Sequence, residues 1–189
     1  MVTTTKSVDT RARLMNVAEN RIRSDGYHAM SFRDLADDLG IKSSSVHYHF
    51  RRKEDLVVAV VERYSENFFA QLDEMTANAK TTTERLKALC IIYRAAFTAD
   101  GHVCLCGVLG AEKNGLPQNV TEAVTKFLTA NVNWVASSLG PEMSKQRRQA
   151  QAEYIVATLQ GALILTKNLT GLDVFDRIAG QLVGAGSKP

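Results

Sequence analysis

Apolar residues recur along most of the chain at the spacing of a helix face. The segment over about 53–77 is the clearest case. Its apolar residues follow one another at steps of four: Leu56, Val60, Tyr64, Phe68 and Leu72. This spacing places them on one side of an amphipathic helix. Because no stretch alternates as a half-buried strand does, the pattern predicts an all-α fold.

Capping residues and glycines divide this pattern into about nine helices. The expected helices cover about 10–24, 32–39, 43–49, 53–77, 81–99, a short stretch ending near 112, 118–139, 142–168 and 173–183. The expected N-terminal caps are Asp9, Ser31, the Thr81–Glu84 capping box and Asp173. Residues 184–189 form a tail that we expect to be frayed.

Charge and composition narrow the class of protein. The 189 residues are 45% hydrophobic and 23% charged, which allows a packed core. The net charge is only +3. Residues 41–53, however, hold four basic residues and no acidic one, and this permits a nucleic-acid partner.

The sequence lacks several other functional signatures. Its longest apolar stretch, Ile155–Thr166, is shorter than the roughly 18–20 residues of a membrane span, and the first ten residues lack the apolar core of a secretory signal. The three cysteines do not suggest a disulfide framework, so we expect a cytoplasmic protein. Hydrolase, metalloprotease, P-loop and dinucleotide fingerprints are missing, so we expect no enzyme and no cofactor.

Two short helices meeting at Gly40 give the most specific signal. Ala36 is small enough for the helices to approach closely, and Gly40 suits a tight turn that needs a positive φ. Leu35, Leu39, Ile41 and Val46 are expected to fill the space between the helices. Alanine, glycine and valine at 36, 40 and 46 have the spacing of a DNA-binding helix-turn-helix.

Longer motifs in this region resemble the N-terminal domain of TetR-type transcriptional regulators. They are Gly26-Tyr27, the stretch 31–36 and the stretch 45–56, within a match over about 10–58. The resemblance implies a flexible arm over 1–9, a three-helix DNA-binding domain over 10–52 and an effector-binding and dimerisation domain over 53–189. It also implies a homodimeric repressor that binds palindromic operator DNA and is released by a small-molecule effector.

A recognition helix needs short polar groups at its start to enter the major groove. The expected DNA contacts are Ser31, Arg33, Lys42, Ser43, Ser44, Ser45, His47, Tyr48 and Lys53. The TetR family usually has tyrosine at position 47 and histidine at position 48, whereas this chain has His47 and Tyr48. Tyr27 and Phe50 are expected in the core. The alternative is that 41–53 is only a solvated basic surface.

The stretch Cys104–Glu112 resembles the NemR-like branch of the family, which senses electrophiles or oxidants. Cys106 is expected at a helix start, where the helix dipole favours the thiolate, with Cys104 as its partner. Alternatively, both cysteines are small buried residues, as we expect for Cys90. A metal site with His102 is a further alternative, although no fourth ligand is evident.

Other residues complete the expected effector site and dimer interface. Lys167 either supports a modified sulfur or complements the dipole of its own helix. Tyr93, Phe97 and Trp134, with Phe68, Phe69, Phe127 and Tyr154, either line a ligand cavity or belong to the core. The expected dimer contacts lie on the last two long helices: Ala157, Gln160, Gly161, Ile164, Phe175, Ile178 and Leu182. A noncovalent aromatic or lipophilic ligand, transcriptional activation, and global nucleoid binding remain alternatives.

Overall fold

The computed structural model describes residues 3–99, 101–169 and 171–185. Within these ranges the protein is all-helical, as predicted. The helices are α1 (Thr3–Asp25), α2 (Phe32–Leu39), α3 (Ser43–His49), α4 (Lys53–Thr76), α5 (Thr82–Thr98), α6 (Leu105–Ala111), α7 (Gln118–Ser138), α8 (Lys145–Asn168) and α9 (Leu172–Ala185). A single 3-10 turn, Lys113–Gly115, follows α6.

The predicted helix starts are partly correct. The caps at Ser31 and Thr81 are confirmed, each with a complete capping box. The caps at Asp9 and Asp173 are wrong, because Asp9 lies inside α1 and Asp173 lies in the first turn of α9. Residues 1–2 of the expected arm and 186–189 of the expected frayed tail lie outside the described residues.

The chain divides into two compact units. The first unit comprises residues 1–65 and 105–125, and the second comprises residues 66–104 and 126–189. The predicted functional boundary between residues 52 and 53 stays a prediction.

In the first unit, α1 packs against α2 and α6, and α2 packs against α3. The centre of the unit is filled by fully buried aliphatic side chains. They are Leu14, Ala18, Ile22, Leu35, Val46, Leu56 and Val60. Burial of this apolar surface stabilises the arrangement of the three N-terminal helices.

In the second unit, α9 packs against both α8 and α5, and α5 packs against α8. An aromatic cluster lies in its core. The Phe68 ring is edge-on to Tyr93 at 5.8 Å and to Phe127 at 5.3 Å between ring centroids. Leu72, Leu89, Val135, Leu159 and Leu163 are fully buried in the same unit.

Candidate nucleic-acid interface

A capping box closes the N-terminus of α2. Ser31 Oγ accepts a hydrogen bond from the Asp34 N–H at 3.2 Å, and the Ser31 N–H donates to Asp34 Oδ2 at 2.9 Å. Hydrogen bonds from Ser31 hold the pKa of Asp34 below its usual value. The Ser31 hydroxyl, predicted as a DNA contact, is therefore engaged as a helix cap, and its role in DNA binding stays a prediction.

The turn between α2 and α3 has the geometry that the sequence predicts. Gly40 has φ +62°, in the left-handed region that a side chain disfavours. Its N–H donates to Asp37 O at 3.2 Å, and the Ile41 N–H donates to Ala36 O at 3.0 Å. These bonds satisfy the carbonyls at the end of α2 and fix the angle at which α3 leaves.

One residue of α3 anchors the helix, and most of the others face outward. Val46 is fully buried, whereas Leu39 and Ile41 are only half-buried. Tyr48 is 79% exposed. Six other predicted DNA contacts are also exposed: Ser31, Arg33, Lys42, Ser43, Ser44 and His47. Ser45 is half-buried. The structure therefore brings the predicted contacts of α3 onto one short, polar, solvent-facing helix.

Aromatic packing determines the positions of several neighbouring side chains. Tyr27 and Phe50 are buried, as predicted. The His47 ring lies edge-on to Phe32 at 5.0 Å between centroids. The Lys53 ammonium sits 4.1 Å from the centre of the Tyr27 ring, a cation–π contact. Burial lowers the pKa of Lys53. Lys53 is thus half-buried against Tyr27, and its predicted phosphate contact stays a prediction.

Ion pairs attach the neighbouring helices to α1. Arg21 of α1 binds the Asp38 carboxylate of α2 with two hydrogen bonds, one of them 2.8 Å long. These bonds lower the pKa of Asp38. Arg63 of α4 donates to Glu19 of α1 at 3.1 Å. Sequence reasoning did not find these pairs, because residues 17 and 44 positions apart give no local signal.

The three cysteines are all buried. Cys106 is the second residue of α6, as predicted, but its exposure is 0%, and that of Cys104 is 2%. Cys90 is buried, as predicted, and burial raises its pKa to about 11. Among the residues that the structure describes, no group of three or more His, Cys, Asp or Glu side chains is placed to hold a metal ion.

The predicted effector residues have different environments. Tyr93 is buried in the aromatic cluster, whereas Phe97 and Trp134 are half-buried. Lys167 is exposed in the last turn of α8. Tyr154, which we considered as a cavity residue, is 59% exposed and therefore does not line a cavity within this chain.

A buried polar contact accompanies the aromatic cluster and was not predicted. Asn131 is fully buried, and its Nδ2 donates to Tyr93 Oη at 2.9 Å. Gln160 Nε2 lies 3.4 Å from the same oxygen. Asn131 Oδ1 has no hydrogen-bond partner among the described residues. The available signal was a polar residue on the apolar face that carries Val124, Phe127 and Val135.

The predicted dimer residues fall into three groups. Ala157 and Ile164 of α8 are exposed, with Ile164 at 56%. Gln160, Gly161 and Ile178 are half-buried. Phe175 and Leu182 of α9 are buried within the chain itself, so their side chains are not available at its surface. Three further exposed apolar residues on or directly after α8 were not predicted: Tyr154, Leu165 and Leu169.

Residues 14–60 match the family model described as "Bacterial regulatory proteins, tetR family". Over 92 residues the chain is 30% identical to the HTH-type transcriptional repressor KstR2 of Mycolicibacterium smegmatis. The aligned part is 49% of this chain and 43% of that repressor, so it covers less than half of the relative.

Two solved structures resemble nearly the whole chain. A TetR transcriptional regulator from Legionella pneumophila is 26% identical with a TM-score of 0.83, covering 92% of this chain and 95% of its own. The reduced form of NemR from E. coli is 20% identical with a TM-score of 0.74, over 92% and 95%. The NemR likeness concerns the fold alone.

The helix-turn-helix geometry and these matches define the class of protein. Residues 14–60 carry a TetR-family N-terminal domain, and the chain as a whole is similar in fold to TetR-type transcriptional regulators. In the described ranges, every helix is too short or too polar to cross a membrane.

Proposed function

We propose that the protein is a homodimeric repressor that binds palindromic operator DNA through α3 and releases it in response to a small-molecule effector. The observation that carries this proposal is the solvent-facing polar side of α3, anchored by Val46 and oriented by the turn at Gly40. Hydroxyl, imidazole and ammonium groups on a short helix suit base edges and phosphates in a major groove. The resemblance to the KstR2 repressor supports repression.

Selection from a random duplex library tests operator binding. We expect the wild-type protein to enrich a near-palindrome and to bind it with an affinity that falls steeply as salt rises. A scrambled duplex of the same composition is the control. Equal affinity for the two duplexes at every salt concentration would contradict the proposal and leave only nonspecific electrostatic binding.

The outer face of α8 supports the dimer. Tyr154 and Ile164 are more than half exposed, and Leu165 is 44% exposed. The small residue Ala157, between Tyr154 and Ile164 in the sequence, is also exposed. Several exposed apolar side chains on one helix indicate a surface that a partner protein buries. A second copy of the same helix would cover them in a two-fold interface, which fits the symmetry of a palindromic operator.

The aromatic cluster supports an effector that binds without a covalent bond. Phe68, Tyr93 and Phe127 give an apolar environment, and Asn131 Oδ1 offers a buried acceptor. A buried acceptor without a partner costs free energy, so a ligand that donates a hydrogen bond gains affinity there. An aromatic alcohol has both the apolar ring and the donor.

The position of Cys106 supports the alternative, covalent sensing. The thiol lies in the first turn of α6 and is completely buried. An adduct on this sulfur finds no room in close packing, so α6 would have to move. The same burial means that an electrophile reaches the sulfur only when the region opens.

The two effector hypotheses give different results in one assay. The operator complex is titrated with N-ethylmaleimide and, separately, with phenol and naphthol. Covalent sensing predicts release by N-ethylmaleimide in the wild type and in Cys90→Ser, but not in Cys106→Ser. Noncovalent sensing predicts release by the aromatic alcohols in all three proteins and a weaker response in Asn131→Leu. If none of these compounds releases DNA, both hypotheses are wrong.

A further inference from the structure

The end of α6 is bound to the turn between α1 and α2 by one carboxylate. Glu112, the residue after α6, accepts a hydrogen bond at Oε2 from the Tyr27 N–H at 2.8 Å. The two residues are 85 positions apart. Tyr27 lies between α1 and α2, so its N–H is not part of a helical hydrogen-bond pattern and needs an acceptor from elsewhere. A carboxylate acceptor makes this bond stronger than a neutral one.

Two glycines permit this close contact. Gly26 has φ +90°, and a Cβ at this position would overlap Glu112 Oε1. A Cβ at Gly115, in the turn after α6, would lie 2.6 Å from His28 Nε2. Gly26 therefore leaves room for the Glu112 carboxylate, and Gly115 leaves room for the His28 ring. The packing of α6 against α1 continues the same contact.

The start of α4 meets this junction as well. The Lys53 ammonium lies over the Tyr27 ring, and although burial lowers its pKa, the negative charges of Glu112 and Asp34 favour its protonated form. Lys53 is only four residues after His49, the last residue of α3. The Glu112 carboxylate thus bonds to the turn before α2, and the ring of Tyr27 in that turn contacts Lys53 at the start of α4.

We infer that Glu112 is a positioning residue for operator binding: its carboxylate holds the backbone of Tyr27, on whose ring Lys53 rests, and so sets the position of α3 relative to α6. This inference rests on the proposed operator binding. Glu112 does not face the DNA-reading side of α3; it acts through the backbone of Tyr27.

The test compares Glu112→Ala and Glu112→Gln with a matched control, Glu122→Ala. Glu122 lies in the same unit, is exposed on α7 and accepts a hydrogen bond from Gln118 at 2.8 Å. Its replacement removes the same charge without touching the junction. Operator affinity is measured on the selected palindrome, with the active fraction determined by titration. Amide hydrogen exchange at Tyr27 is followed by NMR in the DNA-free proteins.

We expect Glu112→Ala to weaken operator binding by about tenfold and to speed exchange of the Tyr27 amide, since a charge-assisted bond is lost. Glu112→Gln keeps an acceptor and should recover most of the affinity. Glu122→Ala should match the wild type in both measurements. If Glu112→Ala loses thermal stability but its folded fraction binds the operator normally, the residue is merely structural and the inference is wrong.

These measurements distinguish an error in the inference about Glu112 from an error in the proposed function. If the wild type shows no preference for a palindrome, operator binding itself is disproved, and the inference falls with it. If the wild type binds and Glu112→Ala binds equally well, only the inference is overturned. An unchanged rate of amide hydrogen exchange at Tyr27 in Glu112→Ala would also overturn the inference, because the hydrogen bond would then not exist in solution.

Discussion

The helix-turn-helix and the α5–α8–α9 region use the same helical building blocks in different ways. Between Ser31 and Phe50, caps, a left-handed glycine and a single buried valine determine where each exposed polar group points. In the second unit, α8 has Ile155, Leu159 and Leu163 buried on one side and Ile164 exposed on another. The structure of the first region is determined by residues close together in the sequence. In the second region, the exposure of each side chain depends on which helix packs against that face.

This difference has a functional counterpart. A DNA-reading surface must be rigid before DNA arrives, and short-range caps and turns supply that rigidity. The proposed effector and dimer region would respond to a ligand or a second subunit, and the exposed apolar side chains and the buried acceptor of the second unit suit that role. Mutations should therefore separate DNA reading from assembly.

The largest effect is expected from Ile164→Asp. A carboxylate in the proposed apolar dimer interface would be buried without a partner, so the variant should be monomeric and lose operator affinity by more than about a hundredfold. Sedimentation velocity measures the assembly state. Ile91→Asp is the matched control, because Ile91 is 53% exposed on α5 and lies outside the proposed interface. A dimeric Ile164→Asp protein would place the interface elsewhere.

A smaller, purely electrostatic effect is expected from Lys42→Ala. Lys42 occupies the N-cap position of α3 without a side-chain capping bond, so its removal should cost little stability. Operator and nonspecific DNA should both bind more weakly, and the salt slope should fall by about one unit. Lys126→Ala, on the exposed face of α7, removes the same charge and should bind like the wild type. Fluorescence anisotropy at several salt concentrations distinguishes the two variants.

The two capping boxes allow a direct comparison of the regions. Ser31→Ala and Thr81→Ala each remove a hydroxyl that accepts a bond from the third residue of its helix, at 3.2 Å in both cases. Each should lower the free energy of unfolding by about 1 kcal/mol. Only Ser31→Ala should also weaken operator binding, because α2 positions α3. Equal operator affinity in the two variants would show that the α2 cap does not orient the DNA-reading helix.

The smallest effect concerns the Arg21–Asp38 pair. The pKa of Asp38 is lower in the folded protein than in the unfolded chain. The ionised carboxylate therefore stabilises the folded protein at pH values above the unfolded pKa of about 3.9. This contribution is lost as pH falls through the lower pKa of the folded state. Wild-type and Asp38→Asn melting temperatures should therefore differ slightly at pH 6 and converge near pH 2. A constant difference across this range would exclude the ionised pair as the cause.

The sequence predicted the parts of the fold that depend on neighbours in the chain. The capping box at Ser31 spans three residues, and the turn at Gly40 joins two adjacent short helices. The helix periodicity located nine helices within the described ranges. Asp9 and Asp173 misled because an acidic residue is favourable both as a cap and inside the first turns of a helix, so its presence does not fix the starting residue.

Contacts between distant residues could not be predicted from one sequence. The Tyr27–Glu112 bond and the Tyr93–Asn131 bond join residues 85 and 38 positions apart. Likewise, α8 is apolar on more than one face, so its periodicity does not tell which residues face the core and which face a partner. Phe175 and Leu182 of α9 were expected at a dimer surface because the last two helices pair in the family that the sequence resembles, but both are buried in their own chain.

The most direct test of the account is a hydroxyl-radical footprint of the wild-type protein on its selected duplex. Two recognition helices related by a two-fold axis should protect two patches whose centres lie about one helical turn, or 34–36 Å, apart. Ile164→Asp should lose both patches together at the same protein concentration. A single protected patch, or uniform protection without a palindrome, would contradict a dimeric repressor that reads DNA through α3.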